Sequence, residues 1–93
     1  MAKDLWAWFN LGLAHYNMKA YDEAIKCYEK ALAIDPKDAN AWTGLGVAHY
    51  DKKEHDEAIE CYKTALKIDP NNKYAQNNLK EAIKEKEKVI EKQ

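Results

Sequence analysis

The chain has 93 residues, 46% of them apolar and a third charged, with 15 lysines against 16 acids and a net charge of −1. That length fits one small domain, and that composition is not the composition of a disordered chain. Arginine and serine are absent, which removes bidentate phosphate or carboxylate recognition and the commonest hydroxyl nucleophile.

No apolar run approaches the roughly 18–20 residues that span a bilayer, so no membrane partner is expected. Met1-Ala2-Lys3-Asp4 lacks the apolar core of a signal peptide. Two cysteines are too few for a disulfide scaffold and suit a reducing, cytoplasmic setting.

Helical periodicity predicts five helices over about 5–18, 22–35, 39–52, 56–69 and 73–91. Asp4, Asp38 and Asn72 stand where N-caps of the first, third and fifth belong. In the second helix, Ala24, Tyr28, Ala31 and Leu32 recur at the spacing of one apolar face. Asp22 and Glu23 occupy its first turn, where carboxylates complement the helix dipole. Asp35-Pro36 ends it, because a residue before proline avoids the helical region. The turns are short enough to force antiparallel neighbours. Gly12 and Gly46 lie inside helices, where glycine costs roughly 1 kcal/mol against alanine. Close packing against Ala24 and Ala58 of the following helices is the expected compensation. The fifth helix carries Ala75, Leu79, Ala82 and Ile83 as a continued core stripe, then Val89 and Ile90 as an overhang that either frays or meets a second copy.

Asp35-Pro36 returns as Asp69-Pro70, and residues 3–36 match residues 37–70 at 21 of 34 positions without a gap. Such a period marks stacked structural repeats. Trp8, Leu11, Gly12, Ala24, Tyr28, Ala31, Leu32 and Pro36 are repeated as Trp42, Leu45, Gly46, Ala58, Tyr62, Ala65, Leu66 and Pro70. This pattern resembles the tetratricopeptide repeat. The resemblance implies an all-α, right-handed α-solenoid of antiparallel helix–turn–helix repeats. It would be a single domain over 1–93, with repeat 1 at about 5–38, repeat 2 at about 39–72 and a capping helix at about 73–91. Two positions depart from the family. Lys19 and Lys53 replace a frequent turn glycine, and His15 and His49 stand where tyrosine is common.

The first helix has two apolar stripes. Stepping about 100° per residue from Leu11 puts Trp8, Gly12 and His15 on one side, and Trp6, Phe9, Leu13 and Tyr16 on the other. One stripe packs on the hairpin partner, and the second is left for something else. Its equivalents are Asn40, Thr43, Val47 and Tyr50 in the third helix, and Tyr74, Asn77, Glu81 and Lys84 in the fifth. The resemblance implies that these positions line a concave peptide-holding groove. Trp6, Phe9, Leu13, Tyr16, Val47 and Tyr50 would be apolar anchors, and Asn10, Asn17, Asn40, Asn77 and Asn78 would offer amides to a peptide backbone. Thr43 and Tyr74 complete the candidate site. The family's chaperone-type members grip a terminal carboxylate at positions that here hold Phe9, Leu13, Gly44, Tyr74 and Asn78, none of them basic. A carboxylate clamp is therefore not expected, whereas an amphipathic helix or an extended segment with apolar anchors fits. The rival expectation is self-association, as a homodimer or by domain exchange between nearly identical repeats.

Other chemistry has little support. The recurrence of His15 with Cys27 and of His49 with Cys61 invites a metal site. Equivalent residues of stacked repeats, however, lie about 8–10 Å apart, too far for shared zinc ligands or a Cys27–Cys61 disulfide. Buried, hydrogen-bonded imidazoles are the expected state of His15 and His49, and His55 is expected in a solvated turn. No phosphate loop, nucleophile elbow or zinc-protease motif occurs, so neither an enzyme nor a cofactor is expected. Lysines and acids alternate without a basic stripe, which argues against nucleic acid. The near-duplicate units suit an engineered repeat, an excised piece of a longer array or a natural small protein. Irregular differences such as Met18 against Lys52 pull against an engineered origin, and the sequence leaves all three open.

Overall fold

The computed structural model describes residues 2–92, which form five α-helices: α1 Ala2–Asn17, α2 Tyr21–Ile34, α3 Ala39–Asp51, α4 His55–Ile68 and α5 Lys73–Glu91. Each helix packs on the next, and α3 also touches α1 and α5. The molecule is thus two antiparallel hairpins and a closing helix, stacked so that α1, α3 and α5 share one side and α2 and α4 the other. Its extents are 45 × 29 × 17 Å.

Local chemistry sets the helix ends. Asp38 Oδ1 accepts from Ala41 N and Asn72 Oδ1 from Ala75 N, both at 3.1 Å, so α3 and α5 start at side-chain caps. Asp4, by contrast, lies inside the first turn of α1, which begins at Ala2, so it supplies a carboxylate to the dipole rather than a cap. α1 closes with Lys19 N donating to Tyr16 O and Ala20 N to His15 O; α3 repeats this with Lys53 N to Tyr50 O and Glu54 N to His49 O. These paired bonds form a Schellman closure, whose C′ residue must be left-handed. Lys19 and Lys53 accordingly have φ of 63° and 69°. The two departures from family glycine are the two places where the backbone asks for one. Between repeats, the Trp42 indole donates to Pro36 O at 2.7 Å. Gln76, one period later, donates to Pro70 O at 2.8 Å.

The core is built around two phenol rings. Tyr28 of α2 and Tyr62 of α4 are the largest fully buried side chains, each contributing about 1.5–3 kcal/mol by burial. Their rings, rather than Ala24 and Ala58, face the helical glycines. A Cβ on Gly12 would lie 2.8 Å from Tyr28 Cε1, and one on Gly46 would lie 2.5 Å from Tyr62 Cε1. Gly44 receives Tyr28 in the same way, at 2.9 Å from Cζ. The Tyr28 ring is therefore wedged between α1 and α3.

Two expected core residues are exposed for a shared reason. Leu45 packs against α2 and is buried, while Leu11, its equivalent, is 45% exposed because no helix precedes α1 among the described residues. Ile83 is exposed because α5 has no hairpin partner in the described chain. His55 is not a solvated turn residue. It opens α4 half-buried, with its ring edge-on to Tyr50 at 5.6 Å. Val89 and Ile90 are helical and exposed, and α5 is tied back to α4 by Lys86 Nζ to Asp56 Oδ1 at 2.7 Å.

Candidate functional site

The second stripe of α1 meets α3 and α5 around a cavity of about 160 Å³. Phe9, Leu13 and Tyr16 supply its α1 wall, Asn40, Thr43, Gly44 and Val47 its α3 wall, and Tyr74 its α5 rim. Tyr28 rises from α2 to form the floor. An apolar cavity of roughly 150 Å³ holds a benzene ring, so this one has room for a single large apolar side chain.

The wall is a chain of aromatic contacts. Trp6 meets Phe9 edge-on at 6.2 Å between centroids, and Phe9 leans on Tyr28 at 5.7 Å. Trp6 is 58% exposed and Leu13 43%. Phe9 and Tyr16 are half-buried, so the stripe is not sealed inside the protomer. Tyr16 leans on Tyr21 and donates its hydroxyl to Asp51 Oδ2, which ties α1 to the end of α3. Burial, reinforced by that carboxylate, holds the Tyr16 phenol well above the ordinary range. Burial pushes Tyr28 up to about 12. Both phenols are neutral donors at physiological pH.

The candidate residues divide. Phe9, Leu13, Tyr16, Asn40, Thr43, Val47 and Tyr74 line the cavity. Thr43 does so without a free hydroxyl, because it is buried and Oγ1 donates to Ala39 O at 2.9 Å. Trp6, Asn10, Asn17, Tyr50, Asn77 and Asn78 lie outside the lining. Of these, Asn10, Asn17 and Asn77 are exposed, and Asn78 is half-buried with Nδ2 enclosed and unpartnered. Tyr28 is a lining residue that periodicity assigned to the core, and Gly44, which the resemblance already set among the clamp positions, lines the cavity beside it. Tyr28 belongs to the motif core and reaches the cavity only because Gly44 has no side chain to cover it. The signal was the column Asn10–Gly44–Asn78, in which the middle member alone lacks a side chain.

The repeated histidines differ. His49 Nδ1 lies 2.7 Å from Glu54 Oε1, and this contact, ahead of Lys52, lowers the Glu54 carboxyl. His15 Nδ1 is buried with no partner, because Ala20 stands at the place equivalent to Glu54. The expectation of a hydrogen-bonded imidazole thus holds for His49 and fails at His15 Nδ1. Cys27 and Cys61 are free and buried, and burial drives Cys61 up to about 12, which makes it a poor thiolate. Among the described residues, no three histidine, cysteine or carboxylate side chains gather as a metal site, and no helix is long and apolar enough to cross a membrane.

The family profile of the tetratricopeptide repeat matches residues 5–38 and 39–72. The chain belongs to the tetratricopeptide-repeat family. This family is typically a protein-interaction module rather than an enzyme. No curated protein matches the chain significantly. Among solved structures, the first tetratricopeptide domain of Spaghetti (RPAP3), bound to the HSP90 peptide SRMEEVD, superposes with a TM-score of 0.89 at 22% identity, over 96% of this chain and 72% of that one. The Arabidopsis OM64 domain superposes with a TM-score of 0.84 at 26% identity, over 88% and 68%. A chain of the APC/C Cut9–Hcn1 hetero-tetramer reaches 0.82 at 35% identity over 84% of this chain. This tetratricopeptide chain spans 15% of that matched chain.

Proposed function

We propose that this tetratricopeptide domain is a noncovalent peptide-binding scaffold or adaptor that captures one large apolar side chain in its concave cavity. The observation that carries this reading is the open, aromatic-walled cavity between α1, α3 and α5, with Phe9, Leu13, Tyr28 and Val47 in its wall. Burial of an apolar side chain contributes about 1.5–3 kcal/mol, enough to make it the dominant anchor of a short segment. Trp6 and Tyr50 extend the apolar surface beyond the cavity, and exposed Asn10, Asn17, Asn40 and Asn77 have free amides for a peptide backbone, with Asn78 beside them.

The Spaghetti domain was solved with an acidic HSP90 peptide. The corresponding use here is not supported, because Phe9, Leu13, Gly44 and Tyr74 fill the clamp positions implied by the resemblance and line the cavity with no basic group. An amphipathic helix or an extended segment with a Leu-sized or Phe-sized anchor suits the site. A reducing, cytoplasmic setting matches the two free thiols.

Leu13→Glu tests the reading. Leu13 is 43% exposed, so the variant keeps its helicity by circular dichroism, while affinity for any peptide bound by the parent falls at least about tenfold from the charge placed in the cavity. Unchanged affinity removes the cavity from the function.

Self-association is a second reading, favoured by the end of the stack. Ala7, Leu11 and Ala14 form an exposed row on α1, continued by Met18 in the turn after it, and Ala41, Leu45 and Ala48, the equivalents of the first three on α3, are buried. A second copy covering that row would give a molecular mass that rises with concentration in sedimentation and reverts to the monomer with Leu11→Asp. A concentration-independent monomer excludes it.

A further inference from the structure

The cavity does not sit in a neutral surface. One turn beyond Val47 on α3 lies Asp51, whose carboxylate accepts the hydroxyl of Tyr16, itself a cavity residue. Its repeat equivalent on α5 is Glu85, and Glu81 is the equivalent of Val47. Asp51 stands on α3 and Glu81 and Glu85 on the neighbouring α5, and after burial Glu85, Glu81 and Asp51 raise the Tyr50 phenol further. Lys88 also bears on Tyr50, but it is paired with Glu85 at 3.3 Å. Lys84 stands on the same stretch of α5. Asp51 and Glu81 are thus left without a cationic partner within 4 Å among the described side chains. The cavity wall contains no lysine.

An acidic edge beside an apolar hole selects its occupant by charge. We infer that the partner is a peptide carrying a large apolar side chain followed, one or two residues along, by lysine or arginine, the apolar group filling the cavity and the cation lying against Asp51 and Glu81. The spacing follows from the helix rise. Asp51 is four residues from Val47, about 6 Å along α3, a distance that an extended peptide covers in about two residues. The inference rests on the peptide-binding reading and adds its charge preference, which is opposite to that of the acidic SRMEEVD peptide held by the Spaghetti domain. Apolar burial supplies affinity, and the carboxylates supply orientation and discrimination against acidic segments.

Two pools of end-blocked dodecapeptides test it. Both are randomised except for a central leucine, and the two positions at ±2 from it are fixed as lysine in one pool and glutamate in the other. The full chain is immobilised and retention is measured at about 50 and 500 mM salt. The expected result is about five- to tenfold greater retention of the lysine pool at low salt, shrinking at high salt as screening sets in. Asp51→Asn with Glu81→Gln should abolish the preference while retaining apolar binding. Asparagine keeps an acceptor for Tyr16, and glutamine is isosteric on the surface. Equal retention of both pools, or preference for the glutamate pool, overturns the charge inference and leaves the cavity reading standing. Retention of neither pool overturns both. A preference that survives the double variant assigns it to other residues and also overturns the inference.

Discussion

At the scale of single residues, two repeats of nearly the same sequence act as each other's control. His15 and His49 share a position, yet only His49 has a carboxylate beside Nδ1, because residue 20 is alanine where residue 54 is glutamate. Ala20→Glu should therefore stabilise the domain by about 1 kcal/mol, the usual cost of an unsatisfied buried nitrogen, read as a shift of the urea midpoint without a change in slope. No shift would mean that His15 is satisfied by water. Lys19 and Lys53 make a second pair. A residue with a Cβ loses roughly 1–2 kcal/mol in the left-handed region, and glycine does not. Lys19→Gly and Lys53→Gly should each raise stability by about 1 kcal/mol, and the two should add, since they lie in separate turns. A loss of stability in either variant would contradict the strained closure. The acid response also has a residue-level origin. The Lys52 ammonium lowers the Asp22 carboxyl below its ordinary 3.8, and His49 lowers Glu54 below 4.5. Groups with depressed folded pKa stabilise above their unfolded values and lose that contribution as the pH falls through the folded ones. The melting temperature should thus be level near neutrality and decline below about pH 4.5. Lys52→Met, which copies Met18, should shallow that decline.

At the scale of elements, position in the stack outweighs identity of the residue. Leu11 and Leu45 occupy the same motif position, one at the open face of α1 and the other buried against α2. Leu45→Ala should cost about 2–5 kcal/mol and Leu11→Ala less than about 1 kcal/mol. Comparable losses would show that the end face is covered in solution. This contrast also marks what could be read from the sequence. Helix number, the caps at Asp38 and Asn72, the stop at Asp35-Pro36 and the two-sided character of α1 are local or periodic signals, and periodicity carries them without a neighbour. Exposure of Leu11 and Ile83 is not local. It depends on no helix of the described chain lying beside them, and a repeating motif scores both as core. The neighbour of the helical glycines is non-local for a related reason. Spacing shows that Gly12 and Gly46 need a close neighbour, but only the packing of α2 and α4 shows that the neighbour is a tyrosine ring. Most of the cavity wall follows from the second stripe. Tyr28 does not, because a floor residue from the opposite layer becomes visible only once three helices are assembled, and Gly44 follows only from the family resemblance.

At the scale of the whole molecule, the stack turns a small core into a surface with two differently shaped sides. The layer of α2 and α4 carries the buried tyrosines, and the layer of α1, α3 and α5 carries the cavity. Their joint is the Tyr28 ring, which is both core and cavity floor. Gly44→Ala should disturb both at once, since its Cβ would lie 2.9 Å from that ring. Overpacking of this kind costs typically about 1–3 kcal/mol, partly offset by the helix preference of alanine. The most direct test of the account is contact between a bound peptide and the cavity itself. The peptides retained from the pools should be labelled and examined for magnetisation transfer from the methyl groups of Leu13 and Val47. The account predicts that the central leucine of the peptide receives transfer from both methyl sets and that Leu13→Glu abolishes it. A peptide that binds the parent chain but contacts only α2, α4 or the Leu11 face would contradict it.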